Sequence, residues 1–278
     1  MLWRVMFFAT VILGLQFFFP PQGATQVACG SVITENAELT GDLDCSNYQY
    51  DPLHIDADNV TFKLKGYTLT CSSQWGWYYT PYELDVEGIR ATGRTGVKIL
   101  GPGKITNCGR AVTFEGGGNN SVQGLYISGN LGGLTFISES GSMARDNVIV
   151  KNLLAGLGMS GSVNIQILEN YIAANGGWDT PDQPNPGWGI LNDNVSTATI
   201  AHNYILGHEN GGIGEVGASA LAAQITNNII LGNGGYDLNL RGTDDTVADT
   251  ICETSVPAGL CPYPFPRFPF DKNRGGKK

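Results

Sequence analysis

Basic residues are scarce in this chain: 16 Lys and Arg stand against 25 Asp and Glu in 278 residues, a formal net charge of −9. Five of the basic residues, Arg267, Lys272, Arg274, Lys277 and Lys278, crowd into the C-terminal tail, so the body is more acidic still. Nucleic-acid binding rests on basic side chains that displace counterions from phosphates, and no nucleic-acid partner is expected. No Cys-X-X-Cys pair and no Cys/His zinc spacing occurs, which removes the common metal and redox motifs. Beyond the first two dozen residues no apolar run is long enough to cross a bilayer. Apolar residues at helical spacing are hard to find, which points to an all-β chain.

Glycine, by contrast, occupies 39 positions, and short β-branched runs alternate with Gly and Asn. The opening MLWRVMFFATVILGLQFFFPPQGA has one Arg, then an apolar run broken at Pro20-Pro21, then small residues. That is the layout of a secretory signal peptide, expected over residues 1–28, and it implies a secreted location, extracellular or periplasmic. Export favours disulfides, here Cys29–Cys45, Cys71–Cys108 and Cys252–Cys261.

Three apolar rows recur with a period of about 23 residues. The first is Leu64, Ile99, Val122, Ala144, Ile167, Ile200 and Ile225. The second is Leu69, Ile105, Ile127, Ile149, Ile172, Ile205 and Ile230. The third is Ile89, Val112, Leu134, Leu157, Ile190, Ile213 and Leu238. Three short strands per period describe a coil that stacks on itself, since one coil cannot bury its own apolar face. Asparagine stands at fixed offsets in the turns. One column is Asn147, Asn170, Asn203 and Asn228; another is Asn130, Asn152, Asn175 and Asn233, with His208 taking one place. Stacked at ~4.8 Å, such carboxamides bond to one another and to turn backbone, and Asn tolerates left-handed turns.

This pattern resembles the right-handed parallel β-helix of the pectate-lyase-like superfamily, over roughly residues 29–250. The expected layout is a disulfide-closed N-terminal cap over 29–58, the parallel β-helix over 59–250, and a C-terminal cap with a basic tail over 251–278. A monomer with no membrane span after signal cleavage is expected. The Pro-alternating CPYPFPRFPF cannot continue a strand ladder.

Most coils reach the third row after 12 or 13 residues, but Leu64 to Ile89 takes 25 and Ile167 to Ile190 takes 23. Both extra lengths fall in the same turn, four coils or about 19 Å apart. They are SQWGWYYTPYELD (73–85), with Trp75 and Trp77, and WDTPDQPNPGW (178–188), with Trp178 and Trp188. In the superfamily that the chain resembles, loops from this turn wall a cleft over the following sheet. Alternation predicts that both neighbours of each third-row residue face out. One side is Gly88, Ala111, Gly133, Gly156, Gly189 and Gly212; the other is Arg90, Thr113, Thr135, Gly158 and Leu191. Two residues on come Thr92, Glu115, Ile137, Ser160, Asp193 and Val216. Such a floor suits a polysaccharide, its ring faces on Trp75, Trp77, Trp178 and Trp188, its hydroxyls on Thr113, Glu115, Thr135 and Ser160.

Hydrolysis needs two carboxylates roughly 5–10 Å apart. Asp193 with Asp179 or Asp182 from the overhanging loop is the candidate pair. Lyase chemistry, as the resemblance implies it, needs a basic residue, here Arg241, and Ca2+ to neutralise a uronate carboxylate. The clustered aspartates of the calcium-dependent pectate lyases and the Gly-His-Gly of the polygalacturonases are missing. DPLH (51–54) resembles an alginate-epimerase string but falls in the expected cap and is set aside. Glu215 aligns with an inward column, as either a break in register or a buried carboxyl. A further column, Asp146, Glu169 and His202, places acid, acid and imidazole at single-coil steps, a set able to hold a cation or share protons. No loop shelters it, and a solvated strand end is the simpler reading. The expectation is a secreted β-helix that binds polysaccharide and cleaves it as lyase or hydrolase. The alternative is a non-catalytic glycan-binding or structural scaffold.

Overall fold

The computed structural model describes residues 26–72, 86–177, 187–193, 197–216, 223–242 and 244–261. All its described elements are short parallel strands, arranged in three sheets. Sheet A has ten: Ser31–Ile33, Leu53–Ile55, Glu87–Thr92, Arg110–Glu115, Gly132–Ile137, Ala155–Ser160, Trp188–Asp193, Gly211–Val216, Tyr236–Asn239 and Ser255–Val256. Sheets B and C have nine each, running from Ala37–Glu38 to Thr246–Ala248 and from Leu43–Asp44 to Ile251–Cys252. The chain visits A, B and C in turn, and each strand pairs with its counterparts one coil before and after. The result is a right-handed parallel β-helix, as the repeat predicts. The segment expected as a cap, 29–58, contributes strands to all three sheets.

The second and third apolar rows lie in register coil by coil, from Leu69 against Ile105 and from Ile89 against Val112. The first row is right from Ile99 onward, but its first member is Phe62, the register partner of Ile99, and not Leu64. Both are fully buried. Leu64 turns inward as the chain rounds the corner from sheet B to sheet C, and spacing alone cannot separate two inward residues flanking a corner. Among the described residues Phe62, Phe114 and Phe136 are the largest fully buried side chains, and the last two stack at 5.9 Å between centroids.

Both Asn columns are ladders, buried at every rung but Asn233, which is half-buried. The Asn147 main-chain N–H donates to Asn170 Oδ1 at 3.0 Å, Asn170 to Asn203 at 2.9 Å and Asn203 to Asn228 at 2.9 Å. In the other ladder His208 fills a rung. Its Nδ1 accepts from the Asn175 N–H at 3.1 Å, and its Nε2 lies 3.2 Å from the Ile172 carbonyl. These partners require a neutral ring protonated on Nε2, and burial pushes the pKa down to about 4.

The glycine column before the third row faces inward, a correction to strict alternation. A Cβ on Gly156 would lie 2.7 Å from Ile172 Cγ2 and 2.8 Å from Asn175 Nδ2; one on Gly212 would lie 2.4 Å from Ile230 Cγ2. Two consecutive residues point in where the chain turns from sheet C into sheet A, and the second-row isoleucine already fills the space. Gly156→Ala is therefore expected to overpack the corner and cost about 1–3 kcal/mol, read as a lower melting temperature. Gly158→Ala, two residues on, would place its Cβ in open space and should cost nothing measurable.

All six cysteines pair as expected, Cys29–Cys45, Cys71–Cys108 and Cys252–Cys261. Among the described residues no helix is long and apolar enough to cross a membrane.

Candidate functional site

The outer face of sheet A carries the site. Its central outward column runs His54, Arg90, Thr113, Thr135, Gly158, Leu191, Gly214 and Asn239, in register. The column two residues on runs Thr92, Glu115, Ile137, Ser160, Asp193 and Val216, as expected. The middle coils carry small groups: Gly132 and Ala155 begin their strands, Thr135 and Ser160 offer hydroxyls, and among the described residues no atom lies within 4 Å of where a Cβ on Gly158 would stand.

At the C-terminal end Trp188 is buried, 9% exposed. Its ring lies over the backbone of the next coil, with Cζ3 only 2.3 Å and 2.4 Å from where Cβ atoms on Gly211 and Gly214 would stand. Those two glycines make the seat for the indole, which anchors the start of its strand. Trp75, Trp77, Trp178, Asp179 and Asp182 lie outside the described residues. Asp193 ends its strand in register with Ser160. Arg241 contributes its main chain: its N–H donates to Glu215 Oε2 at 2.7 Å. Glu215 itself is a buried carboxyl in unbroken register with Asn192, which decides between its two readings.

The N-terminal end holds a cluster that sequence reasoning missed. Arg90 Nη2 donates to Glu115 Oε2 at 2.7 Å, its Nε lies 3.3 Å from Glu87 Oε2, and its Nη1 lies 3.9 Å from Asp51 Oδ2. Arg110 Nη1 donates to Glu87 Oε1 at 3.1 Å, and the Glu87 N–H donates to Asp51 Oδ1 at 2.8 Å. Burial raises the Glu87 pKa, against the pull of the Arg90 and Arg110 charges. Thr113, beside Arg90 in register, is fully buried with its hydroxyl toward Glu87, so it is not the open floor hydroxyl that alternation predicts. His54 stands on the other side of Arg90 in the same column. Asp51 and His54 belong to the DPLH string set aside as cap. A signal was available: His54 sits between buried Leu53 and Ile55 as Arg90 sits between Ile89 and Ala91.

Asp146, Glu169 and His202 occupy the left-handed turn between sheets B and C, with φ of 54°, 56° and 59°. Arg145 lies between the first two, 3.3 Å from Asp146 Oδ2 and 2.7 Å from Glu169 Oε2. Arg145 thus holds the two acids of this column in an exposed ion pair. Among the described residues no three His, Cys, Asp or Glu side chains are grouped to hold a metal. The carboxylates of the Arg90 cluster are matched by guanidinium groups, so they do not fit the Ca2+ that the resemblance implies.

Three parallel sheets, stacked coils and buried Asn ladders define the class of right-handed parallel β-helix proteins. The chain belongs to the family described as the right handed beta helix region, whose model matches residues 85–230. Among solved structures it is similar to the C387A mutant of DFA-IIIase from Arthrobacter chlorophenolicus A6 in complex with DFA-III. The two share 12% identity at a TM-score of 0.55, over 77% of this chain and 52% of that one. A second structure of that mutant matches at 11% identity and a TM-score of 0.52, over 81% and 63%. The A-module of mannuronan C-5 epimerase from Azotobacter vinelandii matches at 15% identity and a TM-score of 0.41, over 82% and 67%. The chain spans about half to two thirds of the length of the DFA-IIIase chains. At these identities the likeness is one of fold. No curated protein matches the chain.

Proposed function

We propose that this is an exported protein whose sheet A face binds a carbohydrate chain, with one ring held at the Arg90 cluster. The observation that carries the reading is the shape of the face. A low floor of Gly132, Thr135, Ala155, Gly158 and Ser160 continues into an end where guanidinium, carboxyl, imidazole and hydroxyl groups converge. A pyranose offers hydroxyls in several directions, and such a set can donate to and accept from them. The DFA-IIIase structure of like fold contains DFA-III, which supports by analogy a ligand on this fold. The two tryptophan loops, 73–85 and 178–188, would border the floor.

If the bound chain is cleaved, Glu87 is the candidate to give a proton, because burial raises its pKa. His54 and Glu115 are the groups on the same face able to accept one. Asp193 with Asp179 or Asp182, and Arg241, remain the candidates for chemistry at the other end. A second reading is a non-catalytic binder. It is favoured by the matching of Glu87 and Glu115 to guanidinium groups, the arrangement of a structural ion-pair network.

A polysaccharide panel, with and without Ca2+, tests both readings through reducing ends, ultraviolet-absorbing unsaturated ends and retention on immobilised glycan. Gly158→Trp sets an indole on the floor at a position where a Cβ meets no described atom within 4 Å. The substitution should cut retention at least tenfold while the melting temperature stays within about 2 °C of wild type. Unchanged retention by that variant would remove the floor as the binding surface.

A further inference from the structure

We propose a cation site inside the solenoid, formed by Glu215, Asp245 and Asn192 at the corner of the last coils where sheet A gives way to sheet B. The inward column of sheet A that holds Ala91, Phe114, Phe136 and Met159 continues as Asn192 and Glu215. Apolar packing thus changes to polar side chains that are only 2% and 1% exposed. Asn192 Nδ2 donates to Glu215 Oε1 at 3.1 Å, and Glu215 Oε2 accepts from the Arg241 and Gly242 N–H groups at 2.7 Å and 3.0 Å. Asp245 also stands against Gly242: a Cβ on Gly242 would lie 2.6 Å from Asp245 Oδ2. Asp245 Oδ1 accepts from the Ala223 N–H at 2.8 Å.

Two oxygens of this group, Asn192 Oδ1 and Asp245 Oδ2, are buried with no hydrogen-bond partner. Among the described residues neither carboxyl is ion-paired with a Lys or Arg side chain.

The same corner in earlier coils shows what a self-sufficient arrangement looks like. Buried Glu139 accepts from the Gly117 N–H, from Asn120 Nδ2 and from the Ser142 hydroxyl, at 2.8, 2.9 and 2.5 Å. No oxygen of Glu139 is left over. In the last coils the Glu215 and Asp245 carboxyls both gather at Gly242, and two buried oxygens are left without a hydrogen-bond donor, which is the deficit that one cation fills. The donors are all oxygen, two carboxyls and a carboxamide, which fits a hard ion such as Ca2+ and not Zn2+. The site lies under the sheet, apart from the carbohydrate face, and stands whether or not that face binds glycan.

The test is thermal unfolding near pH 7 of the full chain in EDTA, then with millimolar Ca2+, Mg2+ or Na+, together with calorimetric titration of Ca2+. Wild type should gain roughly 5–10 °C with Ca2+ and bind one ion per chain. Asp245→Asn and Glu215→Gln should each abolish the gain. In EDTA both should melt no lower than wild type, because each removes one of two facing charges. Glu139→Gln should keep the full Ca2+ response. No shift of wild type by any of the three ions, or an equal shift in Asp245→Asn, overturns the proposal.

Discussion

Replacing His208 by Asn is expected to abolish an acid-induced loss of stability that the wild-type chain shows between about pH 6.5 and 4. The neutral imidazole completes the ladder, accepting from the Asn175 N–H at Nδ1 and facing the Ile172 carbonyl at Nε2. Protonation turns the Nδ1 acceptor into a donor aimed at a donor, in a buried place. The folded pKa of about 4 lies below the ordinary 6.5, so the neutral ring contributes its full stability above pH 6.5. That contribution falls away as the pH drops through 4. A gap of about 2.5 units corresponds to about 3 kcal/mol. Urea midpoints of wild type and His208→Asn at pH 7, 5 and 4 measure it. The two should lie within about 1 kcal/mol at pH 7 and diverge below pH 6. Glu87 and Glu215, whose pKa values are raised, push the other way on acidification but act equally in both proteins. Parallel curves would mean that the ring does not hold the ladder.

Asn170→Ala should cost more than any surface change in the same coil. Asn170 Oδ1 accepts from both the N–H and the Nδ2 of Asn147 at 3.0 Å. Its Nδ2 donates to the Ala144 and Leu168 carbonyls at 2.9 Å and to Asn203 Oδ1 at 3.0 Å. Truncation leaves several buried groups with no partner, at about 1–3 kcal/mol each before relaxation. A net loss of about 3–5 kcal/mol is expected, seen as a melting temperature lower by roughly 10 °C. Gln166→Ala, on the exposed outer side of the same coil, should move it by no more than about 1–2 °C. Comparable losses from the two would show that the ladder amides contribute no more than surface contacts.

The coil was legible in the sequence because stacking imposes a strict period. A residue such as Ile172 must sit over Ile149 and under Ile205, so its row repeats with little freedom. The ladders were legible for the same reason, and so was the place of His208 within one. The reading failed where the chain turns a corner. Strict alternation assumes a straight strand, yet Gly156 and Leu157 both point inward, and Phe62 and Leu64 are both buried around one turn. The Arg90 cluster was missed for a topological reason: Asp51 and Glu87 are 36 positions apart and meet only through pairing of Leu53–Ile55 with Glu87–Thr92. The oxygens at Glu215 and Asp245 are likewise gathered from two coils, and nothing local in sequence marks them.

The placement of the disulfides has a mechanical meaning. Cys71–Cys108 staples two neighbouring coils near the start, Cys29–Cys45 and Cys252–Cys261 close loops shorter than one coil at the two ends, and between Cys108 and Cys252 no disulfide ties one coil to the next. Strand-to-strand hydrogen bonds run along the axis of a solenoid, so a pull on its ends loads them in series. The central coils, with the low floor among them, are the weakest links of such a chain. A protein fixed at both ends would stretch and part there before the two coils that Cys71–Cys108 joins.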